Sequence, residues 1–185
     1  MALLEYTDEK PDKKINEAVI AAIRDAEANF APLKFEGEYP VSGIGISELR
    51  PYHVENTTLN IPQTSNLNYW QTSQLTGSTW SDWINTTLDK DLYVVVTGIF
   101  DLEATPNVTE VAPSANGLDL PVFNVEQSFA LQEARVWFPK PFVVKPDNVL
   151  HIQLYGRTAT PAATSERIGL MGYAIAKRSK LITRS

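Results

Sequence analysis

Apolar and polar positions follow two rhythms along this chain, and the change falls near residue 38. Over residues 13–30, KKINEAVIAAIRDAEANF, the side chains of Ile15, Val19, Ala22, Ile23, Ala26 and Phe30 recur at three- and four-residue spacing. That period puts them on one stripe of an α-helix. Asp12 precedes the run as an N-cap, and Pro32 stops it. Lys13 and Lys14 oppose the helix dipole, so the pattern puts the start a residue or two later. A lone helix of this length is not stable in water, so the stripe must dock on this subunit's own sheet or on a neighbouring subunit. Residues 1–12, charged and interrupted by Pro11, read as an arm.

Beyond residue 38 the helical period disappears, and Gly, Thr, Asn, Val, Ile and Tyr dominate. Strands are predicted at 41–49, 92–102, 121–131, 134–138, 142–145, 148–156 and 168–177. In 148–156, Leu150, Ile152 and Leu154 point one way, while Val149, His151, Gln153 and Tyr155 point the other. Such a strand has one core face and one semi-polar face, as in an antiparallel sheet. In 92–102, Leu92, Val94, Val96, Phe100 and Leu102 fall on one face, with Gly98 in the same row, and Tyr93, Val95, Thr97, Ile99 and Asp101 on the other. Pro139, Pro141 and Pro146 separate strands, which keeps proline out of a central ladder. Residues 50–91 and 103–120 read as long, polar, irregular loops.

Many strands, one helix and no βαβ alternation predict a mainly β protein, an antiparallel β-sandwich of jelly-roll type with an N-terminal helical arm. The expected organisation is an arm over 1–38, a β body over 39–178 and a basic tail over 179–185.

Composition narrows the function. A length of 185 residues and an apolar fraction of 43% suffice for one well-cored domain. The net charge of -6 argues against a body that wraps nucleic acid, which needs clustered Lys and Arg. The absence of cysteine removes disulfides, thiolate nucleophiles and Cys-ligated zinc. No segment has the roughly 18 consecutive apolar residues of a spanning helix, and the N-terminal residues lack a secretory pattern. A soluble protein made in the cytoplasm is expected, and the three N-x-Ser/Thr stretches at Asn56, Asn85 and Asn107 read as loop and strand-edge sequence.

Catalytic candidates are sparse. His53 and His151 read as structural histidines, and two histidines without clustered carboxylates make no metal site. Asp101 and Glu103, two apart, share one face of an extended chain and read as a strand end exposing acids to water. Asp89 and Asp91 with Lys90 read as a solvated turn. No nucleophile elbow or glycine-rich phosphate loop is present, so no enzyme, cofactor or metal is expected.

Interface candidates are richer. Tyr69, Trp70, Trp80 and Trp83 crowd into a polar, loop-like segment. They pin a loop to the body, anchor a protein interface, or stack on sugar rings. In the C-terminal residues 166–185, Glu166 is the one acid against Arg167, Lys177, Arg178, Lys180 and Arg184. Such a tail is ordinarily just solvated; here its charge also suits an acidic neighbour, including the acidic arm of another subunit, or, as the lesser option, a packaged genome. The expected interface residues are therefore Ile15, Val19, Ile23 and Phe30 on the helix, the four aromatics, and Lys177, Arg178, Lys180 and Arg184.

The segments GLDLPVFNVEQSF, ARVWFPKPFVVKPDNVLHIQLYGR and RIGLMGYAIAKR resemble the strand sequences of small jelly-roll virion proteins, in which an arm precedes the sandwich. The likeness is to bacteriophage capsid cement or decoration proteins and to small single-jelly-roll capsid proteins. It covers residues 40–178 as texture and carries over no functional residue. It implies a homo-oligomer, with a trimer favoured, seated on or between major capsid subunits of a virion; that no membrane or nucleic-acid partner is expected comes from the charge and hydropathy above. The alternative is a carbohydrate-binding β-sandwich, a fibre or receptor-binding module whose glycan stacks on the aromatic cluster.

Overall fold

A computed structural model describes residues 11–54, 70, 75–126, 134–159 and 166–181. It is mainly β, with two sheets and one long N-terminal helix, α1, over Asp12–Asn29. The helix begins earlier than Lys13 and Lys14 led us to expect: Asp12 is its first residue, and Ile15 N–H donates to Pro11 O at 2.9 Å. The Asp12 carboxylate in the first turn offsets the poor placement of the two lysines. Pro32 ends it two residues past Phe30, whose N–H closes the last turn on Ala26 O.

One sheet runs in the order β1 (Phe35–Gly37), β2 (Ile44–Glu48), β10 (Ile168–Lys177), β4 (Leu92–Asp101), β8 (Arg135–Val144). Its pairs are antiparallel except β1–β2. The second runs β3 (Trp80–Thr87), β9 (Val149–Gly156), β5 (Val108–Ala115), with β6 (Leu118–Asp119) and β7 (Phe123–Asn124) both pairing with β5. A four-residue helix, α2 (Arg178–Leu181), follows β10, and its Leu181 is buried. β1 lies in the stretch assigned to the arm, and α2 begins at Arg178, the last residue assigned to the β body, and runs into the basic tail.

The inner faces of both sheets meet in one apolar core. Val94, Val96, Phe138, Leu170 and Ala174 come from the first sheet, and Trp83, Val111, Leu150, Ile152 and Leu154 from the second. The outer face of the first sheet is covered by α1. Ala22, Ala26 and Phe30 pack with Ile44, Tyr93, Val95 and Ile175, and Val19 and Ile23 sit at the margin of this second cluster. In this structure the stripe docks on the chain's own sheet.

Several expectations change. β3 and β5 lie inside the segments read as irregular loops. The two short strands at 134–138 and 142–145 join as β8, with Pro139 and Pro141 inside it. Proline is tolerated there because β8 is an edge strand and residues 138–141 bulge between the Trp137 and Phe142 pairings. The row assignment in β4 also fails beyond Val96. Against β10, Val96 pairs with Gly172 and Gly98 with Met171, so Thr97 is an extra residue. That bulge reverses the alternation. Ile99 and Asp101 turn into the core side, while Phe100 is half-buried and Leu102 exposed.

Candidate functional site

The three described aromatics of this group, Trp70, Trp80 and Trp83, do not form one cluster. Trp83 is fully buried, because β3 skips a register position between Asp82 and Ile84 and turns Trp83 and Ile84 inward together. Trp70 is buried beside it, with ring centroids 6.0 Å apart. Of the three, Trp80 stands partly open, at 37% exposure, edge-on to Tyr155 with centroids 5.4 Å apart. Tyr69 lies outside the described residues, as does Arg184.

Trp80 and Tyr155 belong to the outer face of the second sheet. Asp82 Oδ1 there accepts from Gln153 Nε2 at 2.8 Å and sits 2.8 Å from His151 Nε2. The hydrogen bonds from His151 and Gln153 hold the Asp82 carboxyl below its usual range. The result is an open polar shelf beside an aromatic pair, suited to hydrogen bonding and ring stacking rather than to proton transfer in a dry cleft.

The basic candidates have partners in their own chain. Lys177 Nζ lies 2.7 Å from Asp91 and 5.0 Å from the Phe30 ring centroid. Lys180 Nζ lies 2.6 Å from Asp89, and Arg178 donates to Val41 O. The turn read as merely solvated therefore docks the start of the tail. Of the helix candidates, Ile15 and Phe30 are buried and Val19 and Ile23 half-buried.

The titratable groups divide sharply. His53 Nδ1 accepts the Arg50 N–H at 3.0 Å, and its Nε2 is buried without a partner among the described residues. Burial, followed by the nearby Arg50 charge, pushes its pKa down to about 3, so the ring is neutral. Asp101 overturns the expectation of a water-exposed strand end: it is 2% exposed, and Glu166 beside it is 4% exposed. Burial and then the Glu166 carboxyl push Asp101 up to about 8. Sequence reasoning missed this pair, since the residues are far apart in the chain and the inward turn depends on the Thr97 bulge.

A hollow of about 540 Å³ opens on the first sheet's outer face, with Phe100, Trp137, Met171 and Tyr173 below and Arg50 and Arg135 beside it. Among the described residues, no group of three or more His, Asp or Glu is arranged to hold a metal ion. No described helix is long and apolar enough to cross a membrane. Comparison with protein-family models, curated proteins and solved structures yields no match for this chain.

Proposed function

We propose that this chain is a structural protein of a virus particle, most simply a bacteriophage capsid cement or decoration protein of jelly-roll fold. The observation that carries the reading is the set of antiparallel pairs. β2 pairs with β10, β3 with β9, β4 with β8 and β5 with β7. These are the pairs made when one long hairpin is rolled up, and they alternate between two sheets, as a double Greek key requires. β6 and β7 then count as one interrupted strand along the free edge of β5.

A particle protein needs rigid geometry and contact area, and it needs no tuned acid or base. Exposed apolar side chains favour that use: Ile20 on α1, Tyr39 and Val41 before β2, and Leu118 and Val122 around β6. The aromatic hollow on the first sheet adds a concave surface for a neighbour. In this reading the chain forms a homo-oligomer, a trimer being favoured, and binds a major capsid protein after synthesis in the host cytoplasm. Antibody against the chain, applied to particles from cells that make it, should label their surface in electron micrographs. Unlabelled particles and a purely cytosolic signal would overturn the proposal.

One observation favours the alternative of a glycan-binding module. Trp80, Tyr155, Asp82, His151 and Gln153 share the outer face of the second sheet, which no described helix covers. Binding on a glycan array, lost in Trp80→Ala with the fold intact, supports it; a blank array removes it.

A further inference from the structure

We propose that Asp101 and Glu166 share one proton and so form a latch that closes one end of the two-sheet body and loosens in alkaline solution. The inference does not depend on the virion reading. Four chain segments converge at this point. Asp101 ends β4, and its Oδ1 accepts the Glu103 N–H at 2.9 Å. Glu166, just before β10, accepts the N–H groups of Asn107 and Val108 at 2.8 and 3.2 Å through Oε1. Asn107, at the start of β5, binds the end of β9: its Oδ1 accepts Thr158 N–H at 2.9 Å, and its carbonyl accepts Arg157 N–H at 3.0 Å. β4 and β10 belong to one sheet and β5 and β9 to the other, so this chain of bonds staples the sheets together.

The weak link is the contact between the two acids. Asp101 pairs with Ile168 across the sheet, and Leu102 N–H donates to Arg167 O at 3.0 Å, so Asp101 and Glu166 sit at the same sheet end, both buried, and the Glu166 carboxyl acts on Asp101. Asp101 Oδ2 is buried and meets no donor among the described residues. Two ionised carboxylates side by side in a dry site repel, whereas one proton between them supplies the missing donor. Among the described residues, no cation is shown paired with either acid. From the β4 end Glu103 faces Asp101 and adds negative charge. Arg167, from the β10 side, is held by Glu103, with Nε at 3.1 Å, and by Leu102 O. Arg157 on the β9 side is paired with Glu126, and Arg135 of β8 lies beside the outer-face hollow. Asn107 offers neutral amides only. When the proton leaves to solvent, repulsion between Asp101 and Glu166 acts against the two backbone bonds to β5.

The test is the pH dependence of the full chain. Asparagine at position 101 donates an amide N–H to Glu166 at every pH, mimicking the protonated acid. Between pH 6.5 and 8, the unfolding constant of the parent protein is expected to rise by up to about tenfold per pH unit, the slope of one proton, while Asp101→Asn stays flat. A variant that loses stability in parallel with the parent overturns the latch. If Asp101→Asn does not fold, carbon-13 NMR of the parent decides. An Asp101 carboxyl that titrates above neutrality, together with faster amide exchange at Asn107 and Val108 after correction for intrinsic rates, supports the latch. A midpoint near the ordinary 3.8 removes it.

Discussion

Two buried titratable side chains, His53 and Asp101, act on stability with opposite signs. The folded-state pKa of His53 lies below its usual 6.5, at about 3, so between these values the unfolded chain holds the extra proton. Its contribution is present above pH 6.5 and is lost as pH falls toward 3. Asp101 is raised from 3.8 to about 8, so the folded chain holds the extra proton, and stability is lost as pH rises through that window. From about pH 4 to 6.5 the two slopes cancel; above 6.5 only Asp101 acts. Chemical denaturation across pH should therefore give a plateau followed by a decline. Asp101→Asn should turn the plateau into a rise toward neutral pH, and His53→Gln should start the decline at lower pH. Unchanged profiles in both variants contradict these assignments. The tryptophans offer a second residue-scale check. Trp83→Ala empties a fully buried site and should cost about 3–5 kcal/mol in urea unfolding. Trp80→Ala, which loses mainly an edge contact with Tyr155, should cost about 0.5–1.5 kcal/mol. Equal losses would contradict the different placements of the two rings.

At the scale of elements, α1 seals the first sheet. Removing residues 1–30 uncovers Tyr93, Val95 and Ile175, which are otherwise buried. The shortened chain should bind a hydrophobic dye strongly and aggregate; dye binding equal to that of the full chain would contradict the cis packing. The elements most legible in the sequence were those whose period is carried by large apolar residues. The stripe of α1 and the Leu150, Ile152, Leu154 row of β9 lie where the spacing put them. β5 escaped because its inward residues after Val111 are Pro113 and Ala115, too small to signal a core strand. β3 escaped because its register skip sets Trp83 and Ile84 side by side and erases alternation. The Thr97 bulge hid the buried acid in the same way: a one-residue insertion exchanges the two faces, and no local pattern announces it. Of the proposed interface residues, the sequence found large aromatics and a basic tail, but it could not tell that Trp70 and Trp83 serve the core or that Lys177 and Lys180 bind Asp91 and Asp89.

At the scale of the whole molecule, the proposal is a rigid rolled hairpin that grips identical copies. With α1 and the start of the tail docked in cis, the surfaces offered to a neighbour among the described residues include the hollow on the first sheet, the outer face of the second sheet and the exposed apolar residues near β2 and β6. A stable oligomer buries on the order of 800 Å² per partner or more, and apolar side chains supply most of the gain. Contacts of that kind depend little on salt, whereas pairing of an acidic arm with a basic tail weakens as salt rises. The decisive measurement is the mass of the full chain by light scattering during size-exclusion, over a range of concentrations. The account predicts a multiple of 20.6 kDa, a trimer in its favoured form, that persists at high salt. A mass of one chain at every concentration would contradict it.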